Sequence, residues 1–435
     1  MSVATNGRSG RRALGFAAVV ASVALVIAAC GGSGGGGSSS SSAAPTSSAA
    51  PTSSAAPSPL GEPIKVMTVT DLVSAGPIYP NIKYTAEAYG QWINSNGGIN
   101  GRPLEVTVCD SQGTADGSTA CARKAVDEKM VAIIGSFNFA PDAIIDVLEP
   151  AGVAYFGACC MLGAKEFQSK IALPLGSHQM YGVGFVKKAQ EQGCKKSHAV
   201  IIQGAEGFFG VLQAAATNLK YDGLDQEFTV LPATAQDYSP QVAEALAGGT
   251  DCVLMVVSET PFVSWMTPWA AAASSATLFG PQGNLDAVSI AGHPDPMQLD
   301  GSIVVGAYPD LSCPVWDNFR GALTASGADM NQDYNSLGGL GTWTAYSGFT
   351  QIASNIADPV DAASFLKAAS GALVNLPGMI PDVNFTQDFS AALGGAFTRM
   401  FNTSVVYSTI KDGKITPLGG CEDFDNVGPI LLSAE

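Results

Sequence analysis

Short apolar runs alternate with amphipathic stretches through most of the chain after Pro63. The first apolar runs have the length of β-strands and cover Ile64–Thr70, Leu104–Cys109, 131–135 and 153–157. The stretches between them repeat apolar side chains at helical spacing and cover residues 80–95, 115–129 and about 141–148. Because strand and helix follow each other regularly, the pattern predicts a parallel, doubly wound α/β sheet.

The same pattern then starts again. It predicts helices over residues 178–192, 207–220, 238–247 and 260–273. It predicts strands over residues 198–204, 227–231 and 252–257, with short strands near 276–280, 287–291 and 303–307. Two α/β halves in series indicate two doubly wound parallel-sheet lobes. A ligand would lie between the lobes, beyond the carboxyl ends of the strands.

The N-terminus has the pattern of an export signal. Arg8, Arg11 and Arg12 precede an uncharged apolar run over residues 13–29, which ends in small residues. The run is at the short limit for a membrane-spanning helix. Residues 27–30, Ile-Ala-Ala-Cys, resemble a bacterial lipobox, which predicts that residues 1–29 are removed and that Cys30 carries lipid. The alternative is an uncleaved anchor helix with an incidental cysteine.

Residues 30–60 form a Gly/Ser/Ala/Pro tether that follows the apolar run. Its core is the repeat SSAAPT, SSAAPT, SSAAPS, which has no charge and no large apolar side chain. Such a segment cannot bury enough surface to offset its ordering entropy. It predicts a disordered link with a reach of roughly 30 Å. The sequence therefore places the folded part at the outer face of the cell membrane, on a lipid anchor.

Charge and length narrow the class of protein. The whole chain carries a net charge of −16, and loss of the three arginines of the signal makes the mature chain more acidic still. A basic surface for nucleic acid is therefore not expected. The part after the tether is long enough for two domains.

Eight cysteines remain once Cys30 is set aside, and an even number in an exported chain indicates disulfides. The favoured pair is Cys109 with Cys121, from a strand end to the following helix, and a second candidate pair is Cys194 with Cys252. Connectivity is otherwise open. The chain has no C-x-x-C motif, and its three histidines are scattered, so neither a metal nor a cofactor is expected.

Several segments together resemble a known family. They are NGGINGRPLEV (96–106), VAIIGS (131–136) and PAGVAYFG (150–157) in the first half, and FFG (208–210), DYSPQV (237–242) and TDCVLMV (250–256) in the second. The chain over about residues 62–415 resembles the periplasmic leucine/isoleucine/valine-binding proteins, the type I solute receptors of ABC importers. A lipid anchor is what such receptors use where there is no closed periplasm.

The resemblance implies a type I periplasmic-binding-protein fold, with a three-strand hinge between the lobes. The crossings are expected near 175, near 308 and in the last 35 residues. Lobe 1 would then comprise residues 61–175 and about 309–400, and lobe 2 residues 176–308 and about 401–435. The resemblance also implies a monomeric, non-enzymatic receptor whose partners are a small molecule, an ABC permease and its ATPases.

The family holds its ligand with loops at the strand ends. The corresponding lobe-1 loops are Leu72–Tyr79, Ser136–Ala140 and 157–162, and those of lobe 2 are Glu206–Phe209, Ser258–Pro261 and Pro281–Gly283. The lobe-1 candidates for ligand contact are Ser74, Tyr79, Ser136, Phe137, Asn138, Ala158, Cys159 and Cys160. The candidates elsewhere are Phe208, Phe209, Glu259, Thr260, Gln282 and Trp343.

Three loops depart from the amino-acid receptors of this family. The lobe-1 loops read SFNFA and GACCML, where the family has more hydroxyls, and Gln282 stands where the family has an acid. Glutamine cannot neutralise an ammonium group. The aromatic residues favour an apolar or aromatic ligand with few charges, although Glu206 or Glu259 could replace the missing acid. For Cys159 and Cys160, we favour two small buried residues or half of a disulfide over redox chemistry.

Three functions remain open from the sequence. The first is a solute-binding lipoprotein that delivers its ligand to an ABC permease by hinge closure. The second is a ligand-sensing receptor domain of the same fold without transport. The third is a surface enzyme, which would need a nucleophile with a base. The sequence shows no Ser-His-Asp or paired-carboxylate arrangement in a suitable context.

Overall fold

The computed structural model describes residues 61–74, 76–160, 163–387, 395 and 398–432. The predicted signal peptide, Cys30 and the tether lie outside the described residues. Within the described part, no helix is both long enough and apolar enough to cross a membrane.

The first sheet has five strands in the spatial order β2-β1-β3-β4-β5, and all neighbours are parallel. Its strands are β1 (Ile64–Thr70), β2 (Leu104–Asp110), β3 (Ala132–Ile134), β4 (Ala154–Phe156) and β5 (Ala172–Leu173). In β1 only Lys65 is exposed, because helices cover both faces of the sheet. The prediction of a parallel, doubly wound first lobe is confirmed.

The second sheet begins with five parallel strands in the order β7-β6-β8-β9-β10 and continues with an antiparallel hairpin. Its parallel strands are β6 (Ser197–Ile202), β7 (Leu224–Leu231), β8 (Cys252–Val256), β9 (Thr277–Pro281) and β10 (Ile303–Gly306). The remaining strands are β11 (Leu373–Val374), β12 (Val383–Asn384), β13 (Ser404–Lys411), β14 (Lys414–Pro417) and β15 (Asp425–Asn426).

Helices cover both sheets. In the first half they are α1 (Pro80–Ser95), α2 (Ala115–Asp127) and α3 (Pro141–Ala151). Against the second sheet lie α4 (Tyr181–Gln192), α5 (Phe209–Leu219), α6 (Ser239–Ala245), α7 (Glu259–Ala272) and α8 (Ala287–Ala291). The chain then adds α9 (Asp317–Ser326), α10 (Leu337–Ala353), α11 (Ala362–Ser370) and α12 (Gly428–Leu432). The two-lobed α/β fold predicted from the sequence is confirmed.

One predicted strand is wrong. Residues 287–291 form helix α8 rather than a strand. The Asp286 carboxylate accepts a hydrogen bond from the Ser289 N–H, and the Ser289 hydroxyl accepts one from the Asp286 N–H. This reciprocal cap starts a helix, whereas the apolar content of such a short run fits either element.

The chain passes between the sheets beside a compact hinge. The Asn402 side-chain amide donates to the carbonyl of Leu175 at 3.0 Å, which joins the last passage to the first. The second passage is equally close, since an added Cβ on Gly176 would lie 3.0 Å from the Tyr308 hydroxyl. These contacts agree with passages near 175, near 308 and beyond 400. The lobe boundaries derived from them stay a prediction.

Four disulfides join all the cysteines of the described part. Both predicted pairs, Cys109–Cys121 and Cys194–Cys252, are confirmed, with Cα–Cα distances of 5.8 and 6.0 Å. Cys313 pairs with Cys421 across 108 residues of chain, a link that sequence spacing could not indicate. The fourth disulfide joins the neighbours Cys159 and Cys160.

Candidate ligand-binding site

The strand-end loops of the first sheet are held together by Asp71, which follows β1 and is fully buried. Its carboxylate accepts hydrogen bonds from the Ser111 hydroxyl at 2.5 Å, the Gly113 N–H at 2.9 Å and the Phe139 N–H at 3.2 Å. Donors of this kind bind a ligand carboxylate in other proteins. Here an internal carboxylate occupies them. The sequence analysis did not identify Asp71 as part of the site.

An aromatic surface, formed by Tyr79, Phe137 and Phe139, lies on these loops. The Tyr79 ring meets the Phe137 ring edge-on, with centroids 4.6 Å apart, and lies 6.1 Å from the Phe139 ring. Phe137 is buried, Tyr79 is half-buried and Phe139 is 41% exposed. Tyr79 and Phe139 therefore present apolar surface beyond the strand ends.

Ser136 and Asn138 hold the backbone of their own loop. The Ser136 hydroxyl accepts from the Val69 N–H at 2.9 Å and is fully buried. The Asn138 carbonyl oxygen accepts from the Ser118 hydroxyl and from the Ala140 N–H, and its amide donates to the Tyr155 hydroxyl. Polar atoms with these partners are not free for a ligand. We therefore leave both residues out of the set proposed for ligand contact.

The Cys159–Cys160 disulfide lies at the end of β4, in the last lobe-1 loop. The Cys159 N–H donates to the Ser136 carbonyl at 2.9 Å, which places the pair beside the preceding strand-end loop. Both cysteines are half-buried, whereas Ala158 is buried. The disulfide thus adds apolar surface at this edge.

Ser74 is half-buried, and its hydroxyl accepts a local hydrogen bond from the Gly76 N–H.

The two phenylalanines of the first lobe-2 loop pack inward. Phe209 is 6% exposed, and its ring lies on Phe228 with centroids 4.7 Å apart. Phe208 is half-buried and lies over Gly182, where an added Cβ would come within 2.7 Å of its ring. Glu206 accepts from the Gly204 N–H within its own turn. Phe209 is a core residue rather than a ligand contact, and we withdraw it.

Trp343 also belongs to the core. It is 1% exposed and packs on Phe319, with centroids 5.0 Å apart, and edge-on against Tyr89 at 4.8 Å. Tyr346, one turn further along α10, is fully buried, and its hydroxyl shares a 2.8 Å hydrogen bond with the Thr68 hydroxyl. Trp343 packs α10 against α1 and α9, and Tyr346 joins α10 to β1, so we withdraw Trp343 from the ligand contacts.

Gln282 clamps the chain where it leaves the second sheet. Its amide donates to the Tyr308 carbonyl at 2.9 Å, and its oxygen accepts from the Tyr308 N–H at 3.3 Å. The side chain is 6% exposed. The residue that stands where the amino-acid receptors have an acid is therefore committed to the backbone at the second crossing.

Glu259 begins helix α7, beyond the end of β8, and Thr260 beside it is exposed. Burial together with the nearby carboxylates of Asp286 and Asp333 raises the pKa of Glu259 to about 7. The negative charge of Glu259 in turn adds to burial in raising the pKa of the Tyr79 hydroxyl. Tyr79 ends the loop after β1 and Glu259 follows β8, so this electrostatic coupling links strand-end loops of the two sheets.

Asp333 reaches the same place from the segment before α10. The Asn81 side chain, at the start of α1, donates to the Asp333 carbonyl at 2.9 Å and to the Ser336 hydroxyl at 2.8 Å. On the opposite side, an added Cβ on Gly283 would lie 3.1 Å from the Ser336 Cβ. The turn after β9 therefore touches the start of α10. Neither Asp286 nor Asp333 was identified from the sequence.

Comparison with known proteins decides the family. A family model described as periplasmic binding protein matches residues 63–403, more than half of the chain. The chain belongs to the periplasmic binding protein family. The family resemblance seen in the sequence is confirmed. No curated protein sequence matches the chain significantly.

Solved structures of periplasmic binding proteins share the fold at low sequence identity. A leucine-binding protein from Thermotoga maritima is 16% identical with a TM-score of 0.62, covering 82% of this chain and 98% of its own. A fatty acid ABC transporter substrate-binding protein from Thermomonospora curvata is 17% identical with a TM-score of 0.66, covering 85% and 94%.

A solute-binding protein of an ABC transporter from R. palustris, in complex with benzoate, is 16% identical with a TM-score of 0.62, covering 83% of this chain and 97% of its own. The three structures are named for three chemically different ligands. At this level of identity the likeness shows the fold alone. The ligand of this periplasmic binding protein has to be argued from its own residues.

Proposed function

We propose that this chain is an extracytoplasmic solute-binding lipoprotein that captures a small molecule between its two lobes and delivers it to an ABC import permease. The observation that supports the proposal is the contact of the turn after β9, at a strand end of the second sheet, with the segment before α10, where an added Cβ on Gly283 would lie 3.1 Å from the Ser336 Cβ. Ligand sites in open α/β folds lie beyond such strand ends.

The mechanism we propose is closure about the hinge. A ligand that contacts both lobes binds the closed conformation more tightly than the open one, so its binding raises the closed population. The permease then recognises the closed form. In lobe 1, Tyr79, Phe139 and the Cys159–Cys160 pair offer surface for the ligand, and in lobe 2 Glu259 and Thr260 do so.

We propose that the cell membrane holds the protein through lipid on Cys30. Supporting this are the basic N-terminal residues, the apolar run and the small residues before the cysteine. A lipid at the end of the tether would keep the receptor near its permease while leaving the lobes free to rotate. The lobe boundaries proposed here are residues 61–175 with about 309–400, and 176–308 with about 401–435.

Two features argue that the ligand is not an α-amino acid. An α-amino acid needs free donors for its carboxylate and an acidic partner for its ammonium group. Asp71 occupies three donors of the lobe-1 loops. Gln282, at the family's acidic position, is bound to Tyr308. We infer that this receptor has lost the carboxylate subsite of the amino-acid receptors.

A thermal-shift screen of the purified chain tests the proposal. The panel holds amino acids, amides, amines, carboxylates and aromatic acids. A ligand at 100 times its Kd adds about 2.7 kcal/mol of stability, which raises Tm measurably. Small-angle scattering with the hit should show a more compact protein. If no solute in the panel shifts Tm or compacts the protein, solute capture is not supported.

A matched pair of variants checks the place of binding. Phe139 and Val230 are both apolar and similarly exposed, at 41% and 42%. Phe139→Ala should weaken the hit by about tenfold or more, since the ring is proposed to contact ligand, whereas Val230→Ala on β7 should leave Kd unchanged. Equal effects of the two variants would move the site away from the aromatic surface.

Membrane fractionation tests the anchor. Cys30→Ala should release the protein from the membrane fraction, because no thiol remains for the lipid. Ser33→Ala, three residues on, is the control and should stay membrane-bound. Retention of the Cys30→Ala protein in the membrane fraction would favour an uncleaved anchor helix.

A further inference from the structure

Three acidic residues from separate parts of the chain meet where the strand ends of the lobes face each other; we call Glu259, Asp286 and Asp333 the acid cluster. Glu259 starts α7 and Asp286 caps α8, beyond the second sheet. Asp333 precedes α10 and is tied to α1 through Asn81. After burial, the charges of Asp286 and Asp333 raise the pKa of Glu259, and that of Asp286 raises the pKa of Asp333. The turn before Asp286 also touches the start of α10, since an added Cβ on Gly283 would lie 3.1 Å from the Ser336 Cβ.

Two buried carboxylate oxygens of the cluster have no hydrogen-bond donor. Asp286 is 2% exposed, and its Oδ1 accepts from the Ser289 N–H at 2.7 Å while its Oδ2 has no partner among the described residues. In Asp333 the Oδ1 accepts from the Asn335 N–H at 2.9 Å, and the Oδ2 is likewise buried and without a partner there. Buried acceptors of this kind are costly unless a donor is supplied from outside.

In the described part of the chain, no cationic side chain pairs with the cluster. Among the described residues, none of the ion pairs involves Glu259, Asp286 or Asp333. The groups coupled electrostatically to the cluster are Tyr79, just before α1, and Asp310, which acts on Asp333 and is itself acidic. Burial is the main cause of the pKa of about 7 for both Glu259 and Asp333, and the like charges nearby raise both pKa values further.

The three carboxylates do not have the compact spacing of a metal site in the described part of the chain. Within the described residues, the three carboxylates do not all come within 4.8 Å of one another, as the ligands of one metal ion would. An organic ammonium or guanidinium group has several N–H donors spread over a larger radius. The aromatic surface with Tyr79 lies beside Glu259 and can contact both the cation and an attached apolar chain.

We propose that the cleft binds a solute that carries an organic ammonium or guanidinium group and no α-carboxylate, held by Glu259, Asp286 and Asp333. The proposal rests on the proposed function as a solute receptor. Three donors of the lobe-1 loops already bind Asp71, so these three are not available to a carboxylate of the ligand. The cation itself joins the two lobes, since the cluster draws on both.

A charge series of similar size and shape tests this. Calorimetry at pH 8 compares the cation 3-phenylpropylamine, the neutral 3-phenylpropanamide and the anion 3-phenylpropanoate on the full chain in detergent. Agmatine, choline and leucine are added as a guanidinium, a quaternary ammonium and a zwitterion. Either 3-phenylpropylamine or agmatine, the two cations with N–H donors, should bind at least tenfold more tightly than choline, the amide, the carboxylate and leucine.

Variants of the acid cluster identify the partner of the cation. Glu259→Gln and Asp286→Asn should each weaken cation binding by tenfold or more while leaving amide binding unchanged. Asp361→Asn is the matched control, because Asp361 caps α11 through Ser364 as Asp286 caps α8 through Ser289. Asn is also a good N-cap residue, so both variants should keep their helices.

The Tm of the unliganded protein tests whether the charge of Asp333 serves the fold and not the ligand. Asp333→Asn should hold or raise the Tm of the unliganded protein at pH 8, since it removes a charge that awaits a partner. A lower Tm would mean that the charge of Asp333 stabilises the fold itself, and it would overturn the proposal.

Several other outcomes would overturn the proposal that the ligand is an organic cation. Equal or tighter binding of the amide, the carboxylate or leucine would overturn the inference while leaving the receptor function intact. Cation binding that survives all cluster variants would also overturn the inference. A larger rise in Tm with calcium chloride alone than with any organic cation would do the same. If no cation binds, the inference is wrong, and a hit elsewhere in the solute screen would still support the proposed function.

Discussion

Gln282→Glu would restore the acid that the amino-acid receptors carry, and the structure predicts that it destabilises this protein. The Gln282 amide donates to the Tyr308 carbonyl at 2.9 Å, and its oxygen accepts from the Tyr308 N–H. Glutamate keeps an acceptor for the N–H. An ionised glutamate, however, turns a second acceptor toward the carbonyl oxygen, and this happens at a site that is 6% exposed.

The cost follows from the protonation state. To keep the buried acid neutral at pH 7, the fold must raise its pKa from about 4.3 to above 7, which costs about 3–4 kcal/mol at 1.36 kcal/mol per unit. If the acid ionises instead, the Tyr308 carbonyl loses its donor, at about 1–3 kcal/mol, and a buried charge is added. The variant should therefore lose roughly 3–4 kcal/mol of unfolding free energy at pH 7.

The loss of stability in Gln282→Glu should become smaller as the pH falls. An acid whose folded pKa is raised above its unfolded value favours the folded state at low pH, and that contribution is lost as pH rises through the folded pKa. The protonated glutamate can donate its O–H to the Tyr308 carbonyl and restore the clamp. The deficit of Gln282→Glu relative to the native chain should therefore shrink to about 1 kcal/mol or less near pH 4.5.

Urea unfolding at pH 4.5 and pH 7 measures the loss of unfolding free energy of Gln282→Glu at each pH. Gln190→Glu is the control, because the Gln190 amide also donates to a backbone carbonyl, that of Leu219, but from a half-exposed site. It should lose about 1 kcal/mol with little pH dependence. A Gln282→Glu protein as stable as the native chain at pH 7, with new affinity for leucine, would refute the clamp and return Gln282 to the ligand site.

Three further predictions concern the core, the disulfides and the acid cluster. Phe209→Ala should lower unfolding free energy by about 3–5 kcal/mol in urea without a specific loss of ligand affinity, and the reverse pattern would restore Phe209 to the site. Replacing Cys313 and Cys421 with serine should cost more than replacing Cys109 and Cys121, about 4.8 against 2.8 kcal/mol, since the first pair closes 108 residues and the second 12; an equal loss of Tm would contradict the loop-entropy account. Because two members of the acid cluster have pKa values raised to about 7, the Tm difference between the native chain and Glu259→Gln should grow in favour of the variant from pH 4.5 to pH 8, and a constant difference would contradict this sign.

Local pattern accounted for most of the secondary structure. The strand predicted over Ile64–Thr70 and the helix over 80–95 have the observed bounds, because strand and helix periodicities are properties of neighbouring residues. The Cys109–Cys121 disulfide was within reach for the same reason, since a strand end and the next helix are adjacent. The hairpin of β13 and β14 was missed, although Asp412-Gly413 between two apolar runs is a turn signal.

The site residues fared differently, and burial explains why. Phe139 and Phe209 occupy similar places in aromatic strand-end loops, yet one is 41% exposed and the other 6%. Periodicity cannot separate a ring that faces the cleft from one that packs on Phe228. Likewise, Ser136 and Gln282 look like free polar groups in the sequence, and only their hydrogen-bond partners show that the fold has already used them.

By itself, the sequence determined the α/β alternation, the two lobes, the export pattern and the family, because each is written in contiguous segments. Only the tertiary structure decided which polar groups remain unpaired. Asp286 and Asp333 lie 47 positions apart in the sequence and meet because the chain returns to the first sheet through the second crossing. Acidic residues that come together only through the tertiary fold leave no local sequence pattern. The ligand we propose is therefore based on these residues and not on the family motif at Gln282.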